Sequence, residues 1–395
     1  MKKIFACICM SESAFFLAAT LIMLGGCKSP TLSTASRGRV GTLNVLDFGA
    51  IGDGLADDTA AIQAAINYAS ERGGGKVFFP FTKTGYRIAS PAHETVEGRP
   101  CRGQLYIPYN PKASNIQLEG EMPCALLNAY AVRPGMTFED KPRNNTLLFS
   151  TWEAPEVRDP EERPYALLAS IQGTNFKGKF SVRQFSIWNL EFRTFLNTDK
   201  MYTTSSAVNL QNVARVNIQD SQFGLDKNIG DFALKKELQA SPVHTFGLMT
   251  SGDQNDDNVL RNVCVQGFRY GFVFGEMVVA DYLIVANCEE GVVFHDSTHL
   301  STINHLVAQH NAKILTSTRE RLFGHEKSAC YVDINRLDFE PGSEKNGPQA
   351  MLMKYGIFDP ENRIRGRVRW HCGWPIGKDY FPIKGGQNVQ AERIE

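Results

Sequence analysis

The chain has 395 residues, and 42 lysines and arginines balance 42 aspartates and glutamates, so its formal net charge is zero. A balanced chain lacks the basic excess that nucleic-acid-binding proteins show, so we expect no nucleic-acid partner. Hydrophobic residues make up 43% and charged residues 21%, which is typical of a globular protein and argues against long disorder.

The chain begins with the features of an export signal. Lys2 and Lys3 form a positively charged start, and the apolar stretch that follows is too short to span a bilayer as a helix. The stretch ends in a Leu-Gly-Gly-Cys sequence at 24–27, which resembles a bacterial lipobox. In that motif the cysteine, here Cys27, is acylated and becomes the mature N-terminus. The alternative is an ordinary signal peptide with a chance cysteine.

The lipobox resemblance divides the chain into three parts. Residues 1–26 are the expected lipoprotein signal peptide, and residues 27–41, rich in Ser, Thr, Gly and Arg, are the expected flexible tether. Residues 42–395 are expected to form one folded domain, with a loop-like insertion around 136–164. The resemblance implies a protein held on a membrane outside the cytoplasm. Outer-membrane sorting is favoured in a Gram-negative cell, because Lys28 rather than Asp follows the cysteine.

Residues 44–89 contain an ordered series of turn, helix and strand signals. Asp57, Asp58 and Thr59 are residue types that cap the start of a helix and suit its positive end. Apolar residues at helical spacing and three glycines then predict a short amphipathic helix and its end; these residues are Ile62, Ala65, Ile66, Ala69, Gly73, Gly74 and Gly75. Strand signals follow at 76–80 and 85–88.

This order of signals resembles the pectate-lyase-like superfamily, in the branch that includes rhamnogalacturonase- and epimerase-like proteins. The resemblance runs from residue 44 to about residue 127. It implies an all-β, right-handed parallel β-helix whose first α-helix caps one end, and a lateral groove in which the family acts on polysaccharides. Asp53, Asp57 and Asp58 lie at the capped end, so their expected role is structural.

Weak internal repeats support stacked coils, which in such folds recur about every 20 to 30 residues. The repeats are 271–274 with 291–294, shifted by 20 residues; 285–287 with 307–309, shifted by 22; and 188–192 with 216–220, shifted by 28. We therefore expect parallel strands that stack from coil to coil.

The first site hypothesis follows from this stacking. Three predicted strands, ending near residues 249, 274 and 294, are each followed by acidic residues or histidines. Stacked coils lie about 4.8 Å apart, so neighbouring carboxylates could act together as acid and base or bind Ca²⁺. A neutral histidine could abstract the proton beside a uronate carboxyl group. The candidate catalytic residues are Asp253, Asp257, Glu276, His295, Asp296 and His299. The alternative is that these turns are polar because they are solvated.

A second site hypothesis comes from a resemblance to polygalacturonases. The sequence Asn-Thr-Asp at 197–199 matches the first acid motif of that family, and Asp220 and His244 follow at intervals of about one coil. The residues that normally flank the second acid and the histidine are missing, and the Arg-Ile-Lys motif does not follow. Asp199, Asp220 and His244 are therefore second-choice catalytic residues.

The cysteines give one structural hypothesis. Cys101 and Cys124 flank one strand-rich segment and could form a disulfide in an exported protein. Buried free thiols are the alternative for the remaining cysteines. A zinc site is not expected, because no Cys-x-x-Cys motif is present in the sequence.

The sequence predicts a lipid-anchored protein outside the cytoplasm that cleaves or modifies a uronic-acid-containing polysaccharide by lyase or hydrolase chemistry. A non-catalytic glycan-binding or structural surface protein is the alternative. No cofactor is certain, and Ca²⁺ is the candidate.

Overall fold

The computed structural model describes residues 41–122, 145–172, 182–200, 202–226, 242–250, 257–295, 299–317, 329–341, 353–372 and 380–394. These residues form a right-handed parallel β-helix with one α-helix, α1 (Thr59–Glu71), and one short 3-10 helix (Val45–Phe48). Within the same residues, no helix is long and apolar enough to cross a membrane.

The strands, in chain order, are β1 (Thr42–Asn44), β2 (Gly75–Phe79), β3 (Tyr86–Ile88), β4 (His93–Val96), β5 (Arg99–Ile107), β6 (Ile116–Gly120), β7 (Thr146–Ser150), β8 (Ala166–Ser170), β9 (Phe185–Trp188), β10 (Leu190–Thr194), β11 (Leu196–Asn197), β12 (Tyr202–Thr203), β13 (Ser206–Asn209), β14 (Val216–Leu225), β15 (Phe246–Met249), β16 (Asn258–Gln266), β17 (Tyr270–Phe274), β18 (Val278–Ala286), β19 (Glu290–Phe294), β20 (Leu300–Gln309), β21 (Lys313–Ser317), β22 (Cys330–Glu340), β23 (Tyr355–Asp359), β24 (Ile364–His371), β25 (Ile383–Gly385) and β26 (Val389–Arg393).

The strands form three faces of a solenoid. The first face is a 10-stranded sheet in the order β25-β23-β21-β19-β17-β15-β13-β8-β5-β4. The second and third faces belong to a 14-stranded sheet whose long strands bend midway. In β16, for example, residues 258–261 lie on the second face and 263–266 on the third. Pairing along the solenoid is parallel, apart from the antiparallel pairs β4–β5 and β11–β12.

The bend between the second and third faces is built from polar residues in a left-handed backbone conformation. Asp220 and Asn262 have φ values of 47° and 51°, a region that Asn and Asp adopt more readily than most residues. They stack on neighbouring coils, where the Asn262 side-chain amide donates a hydrogen bond of 2.8 Å to Asp220. The same corner continues with Asn304, which donates to Asp281 and accepts from Asn335. This polar ladder holds successive bends in register.

The N-terminal helix closes one end of the solenoid, as the sequence predicts. Asp57 caps α1 by accepting hydrogen bonds from the backbone and the side chain of Thr59. Asp58 instead accepts from the backbone of Ile51 and Gly52, and so ties the preceding turn to the helix. The helix ends before Gly73, whose φ of 85° suits glycine. These contacts support the structural role expected for the acids at this end.

The interior is a continuous apolar core shared by all three faces. Phenylalanines stack from coil to coil, with Phe192 and Phe223 in register and their ring centroids 5.6 Å apart. Phe272, Phe274 and Phe294 are likewise buried, each with at most 1% of its surface exposed. Burying a side chain of this size contributes about 1.5–3 kcal/mol, so the stacked rings are a main source of stability.

The register confirms one predicted repeat and corrects two. β17 and β19 pair at the predicted shift of 20 residues. Val285, however, pairs with Ala308, one residue further than predicted, and Trp188 pairs with Gln219, three residues further. The predicted shifts are wrong because letter similarity does not show how many residues each corner and connection contains.

The predicted insertion at 136–164 also differs from the structure where the structure describes it. Residues 136–144 lie outside the described residues. Residues 146–150 form β7, which pairs with β3 and β10 inside the 14-stranded sheet rather than lying over a face. Residues 151–164 then run as a connection to β8, and Ala154 and Val157 pack there against Tyr165.

Candidate functional site

The turns after the first-face strands hold part of the first site hypothesis. Glu276 and His299 follow β17 and β19 on neighbouring coils, and His299 Nδ1 lies 4.0 Å from a carboxylate oxygen of Glu276. Asp257 pairs instead with Arg215 at 3.3 Å. His295 is 1% exposed, and its backbone N–H donates to the carbonyl of Phe274. Asp253 and Asp296 lie outside the described residues.

The second-choice residues occupy different parts of the coil. Asp220 lies on the corner between the second and third faces, bonded to Asn262. Asp199 follows β11, where its backbone N–H donates to the side chain of Asn197. His244 lies two residues before β15, at the start of the first face. The fold therefore gives each of the three different neighbours.

Two cysteine hypotheses fall partly or wholly outside the described residues. Cys27 and Cys124 are not among them, so lipid attachment and the Cys101–Cys124 disulfide remain predictions. Cys101 is buried, and burial raises the pKa of its thiol. Cys264 and Cys288 are also buried, and burial raises the pKa of each to about 12, so these thiols are not nucleophilic at neutral pH.

The strongest concentration of chemistry on the first face lies where its strands begin. Six side chains from β17, β19, β21 and the residues just before these strands and β15 form a continuous line, which we call the ionic track. The ionic track consists of His244, Arg269, Tyr270, Glu289, Glu290 and Lys313. Because these strands are neighbours, members on adjacent coils stand about 4.8 Å apart along the solenoid. Arg269 and Tyr270 share one coil, as do Glu289 and Glu290.

One end of the ionic track is a buried histidine–tyrosine pair. His244 Nδ1 lies 2.9 Å from the hydroxyl oxygen of Tyr270, and Arg269 Nη1 lies 3.3 Å from His244 Nε2. A guanidinium can only donate, so Nε2 accepts and the neutral ring carries its proton on Nδ1. His244 then donates to Tyr270. The phenolic oxygen thereby accepts an N–H, and the Arg269 guanidinium lies 5.3 Å from the centre of the Tyr270 ring.

The middle of the ionic track alternates positive and negative charges. Arg269 Nε lies 3.5 Å from Glu289, and Lys313 Nζ lies 3.7 Å from Glu289 and 2.7 Å from Glu290. Thr316 donates a hydrogen bond of 2.7 Å to Glu290. The side chains of Arg269, Glu289 and Lys313 are about one-fifth exposed, so they reach solvent while remaining partly desolvated.

Burial moves the pKa values of His244 and Glu289 in opposite directions. Desolvation, reinforced by the neighbouring Arg269, lowers the pKa of His244 to about 4. Desolvation raises the pKa of Glu289, although Arg269 and Lys313 oppose that shift. A neutral histidine and a carboxyl group that retains its proton more readily, on either side of Arg269, are groups suited to acid–base work.

Two aromatic rings and a second lysine adjoin the far end of the ionic track. The rings of Tyr355 and Phe358 lie 5.1 Å apart on β23. Lys313 Nζ lies 4.8 Å from the centre of the Phe358 ring, and Lys384 Nζ lies 5.4 Å from it. Aromatic faces with adjoining cations suit the apolar surfaces and the acidic groups of anionic sugars.

Sequence reasoning named only His244 from the ionic track. The available signal was a charged residue immediately before or at the start of successive strands, as at Arg269, Glu289 and Lys313. That pattern resembles ordinary turn polarity until the register is known. For Ca²⁺, no group of three or more metal-ligating side chains with suitable geometry occurs among the residues that the structure describes.

Comparison with known proteins finds similarity over short parts of the chain. A model of the family described as rhamnogalacturonase A/epimerase, pectate lyase-like, matches residues 42–98. Mannuronan C5-epimerase AlgE1 of Azotobacter vinelandii is 68% identical over 46 residues, which are 12% of this chain and 3% of that protein. Alginate lyase 7 of the same organism is 65% identical over 46 residues, which are 12% of this chain and 5% of that protein.

Among solved structures, ORF18 of Geobacillus virus E2 superimposes with a TM-score of 0.40 and 13% identity, covering 89% of this chain and 60% of that one. This chain covers only 3% of mannuronan C5-epimerase AlgE1 and 5% of alginate lyase 7. Residues 42–98, which form the capping helix and the first strands of this parallel β-helix, carry the sequence signature of the rhamnogalacturonase A/epimerase, pectate-lyase-like family.

Proposed function

We propose that the protein binds and modifies a uronic-acid-containing polysaccharide along the ionic track, by chemistry that begins with removal of the proton beside the uronate carboxylate. Two findings support this proposal. A stretch of 46 residues is similar to a mannuronan epimerase and to an alginate lyase. The ionic track combines cations and an acid–base pair over successive coils, with aromatic rings adjoining it.

The central observation is that Arg269 lies between the His244–Tyr270 pair and Glu289. In the proposed reaction Arg269 neutralises the substrate carboxylate, which makes the neighbouring C–H more acidic. The ionised form of Tyr270, whose hydroxyl proton has left to solvent and whose oxygen accepts the N–H of His244, takes the proton. Protonated Glu289 gives its proton to the departing glycosidic oxygen as that C–O bond breaks and the double bond of the sugar forms. Returning a proton instead to the opposite face of the sugar would give epimerisation.

The test is turnover of polymannuronate and polygalacturonate. Elimination creates an unsaturated uronate that absorbs ultraviolet light, and epimerisation changes the proton NMR spectrum of the polymer. Arg269→Gln and Tyr270→Phe should each lower turnover at least about 100-fold. Matched controls are Arg261→Gln and Tyr331→Phe, which change exposed side chains on the second face. Equal loss in the controls, or full turnover in both track variants, would contradict the proposal.

A binding-only function is the second candidate, and one observation favours it. His244 and Tyr270 are 5% and 4% exposed, so the acid–base pair lies beneath the surface while Arg269 and Lys313 reach solvent. In that case polyuronates would bind and remain chemically unchanged. Arg269→Gln would then weaken binding, whereas Tyr270→Phe would leave it intact.

We further propose that the protein is attached to the cell envelope, outside the cytoplasm, by a lipid on Cys27. The support is the lipobox-like sequence at 24–27. Cells supplied with a labelled fatty acid should incorporate the label into the wild-type chain and not into Cys27→Ser. A Cys27→Ser chain that remained labelled and membrane-associated would exclude this attachment point.

A further inference from the structure

A second group of ionisable side chains lies on the third face, away from the ionic track. We call it the third-face cluster, and it consists of Tyr282, His305, Arg336, Asp338 and His371. Tyr282 pairs in register with His305, and His305 with Arg336, so the three stand on consecutive coils. The Tyr282 and His305 rings meet edge to face, with centroids 5.0 Å apart.

Asp338 organises the cluster by accepting three hydrogen bonds. Its Oδ2 lies 2.7 Å from His305 Nε2 and 2.9 Å from Arg336 Nε, and its Oδ1 lies 3.1 Å from His371 Nδ1. Burial opposes ionisation, but hydrogen bonds from Arg336 and His305 prevail and lower the pKa of Asp338. The ionised carboxylate can only accept, so both imidazoles donate to it.

These contacts show which nitrogen of each imidazole carries the hydrogen donated to Asp338. His305 donates through Nε2 and His371 through Nδ1, so each ring keeps its other nitrogen for a second proton. Protonation therefore adds up to two positive charges while the hydrogen bonds to Asp338 stay in place.

The fixed charges around the third-face cluster do not by themselves attract an anion. Arg369 reaches Asn335, Asp281 accepts from Asn304, and Glu340 lies 3.7 Å from His310. Arg369, Asp281 and Glu340, with Glu392 and Arg393 on the adjoining β26, add two positive and three negative charges to the strands around the cluster. Within the cluster the charges of Arg336 and Asp338 cancel. Attraction of an anion therefore depends on protonated histidines.

The basic side chains of the cluster reach solvent. The His305 and His371 side chains are 31% and 37% exposed, and Arg336 is 52% exposed. Arg336 contacts Asp338 through Nε. The N–H groups of Nη1 and Nη2 therefore remain for a ligand. A planar guanidinium with two outward donors matches the two oxygens of a carboxylate.

We propose that the third-face cluster is a binding site for the carboxylate groups of an acidic polysaccharide, and that it binds them most tightly when His305 and His371 are protonated. Arg336 provides the carboxylate contact, the imidazoles add charge, and the Tyr282 ring offers an adjoining surface to the sugar. Asp338 is a positioning residue. The ligand class is that of the proposed function, but the site is separate.

The test is calorimetric titration of the full chain with short oligomannuronates at about pH 5.5 and about pH 7.5, the two sides of imidazole titration. Binding should be about tenfold tighter at the lower pH, a difference of about 1.4 kcal/mol. Arg336→Gln and His305→Gln should each abolish most of this gain. Their matched controls, Arg261→Gln and His93→Gln, change exposed side chains outside the cluster and should retain it, and a carboxyl-reduced oligosaccharide should not bind.

Equal tightening at low pH in the wild type, Arg336→Gln and His305→Gln would overturn the proposal, as would equal binding of the carboxyl-reduced probe. Because Arg336 is the most exposed of the cluster's basic residues, its variant should fold even if a histidine variant does not. The Arg269→Gln chain separates the two sites. If the first-face proposal fails, Arg269→Gln binds normally while the third-face variants still lose the pH-dependent gain.

Discussion

The ionic track and the third-face cluster are assembled in the same way and differ in burial. Both place side chains from consecutive coils in register, so their spacing comes from the solenoid itself. His244 in the track is 5% exposed, and its lowered pKa keeps it neutral. His305 in the cluster is about one-third exposed and shares a carboxylate with two other donors. The same residue type therefore serves as a buried hydrogen-bond donor on one face and as a partly exposed donor to a carboxylate on another.

The charge patterns of the two regions differ as well. In the ionic track Arg269, Glu289 and Lys313 alternate, so each charge is balanced by its neighbour on the next coil. In the third-face cluster several donors converge on one acceptor, Asp338. Alternating charges suit a long ligand whose groups replace the contacts between neighbouring side chains one after another. Donors that converge on one point suit a single anionic group.

The largest expected effect tests whether the two regions rest on one core. Phe272 is fully buried two residues beyond Tyr270, so Phe272→Ala should lower the free energy of unfolding by about 3–5 kcal/mol. Urea denaturation followed by circular dichroism measures this change, and Val279→Ala, at a side chain 45% exposed, should cost less than about 0.5 kcal/mol. Two separate transitions in Phe272→Ala would show that the coils do not unfold as one unit.

The next effect sharpens the contrast between the histidines. The lowered pKa of His244 means that the unfolded chain binds a proton which the folded chain refuses between about pH 6.5 and 4. Wild-type stability should therefore fall by about 2–3 kcal/mol more than that of His244→Gln across this window as the pH is lowered. Thermal unfolding at a series of pH values measures the difference. Parallel profiles for the two proteins would mean that His244 titrates normally when folded.

The smallest expected effect concerns Asp338. Because its pKa is lowered in the folded state, the stability it contributes is present above the unfolded value near 3.9 and disappears as the pH falls through the folded value. Asp338→Asn should thus be less stable than wild type by up to about 1 kcal/mol near neutral pH, with the gap closing in acid. A gap that widened below pH 4 would reverse the assigned direction of the shift.

Much of the fold was predictable from local signals. The helix at the N-terminal end, its capping acid Asp57 and the glycine at 73 follow from propensities that act within a few residues. The register was less accessible. It depends on the lengths of corners and connections, which are set by stacking between coils, and the alignments of Val285 and Trp188 accordingly failed by one and three residues.

The site was predictable only where stacking could be read from strand ends. The contact between Glu276 and His299 belongs to the edge chosen from the sequence. The pairs His305–Asp338 and Arg269–Glu289 join residues whose separations of 33 and 20 positions reflect coils of unequal length. Burial separates the roles of His244 and His305. It results from packing between coils, so the residue types along the chain do not predict it.

The unequal coil lengths have a consequence for how such a molecule can change. Asn258 pairs with Val278, whereas Cys330 pairs with Ile364, although the strands involved stack in the same way. The extra residues of the longer coil fall mostly between β22 and β23 along the chain. A residue inserted within a strand would exchange its inner and outer side chains, but a residue inserted in a connection alters only local surface. Connections beside a fixed row of functional groups can therefore lengthen or shorten while the core stays the same. Such changes can alter ligand specificity without changing the interior.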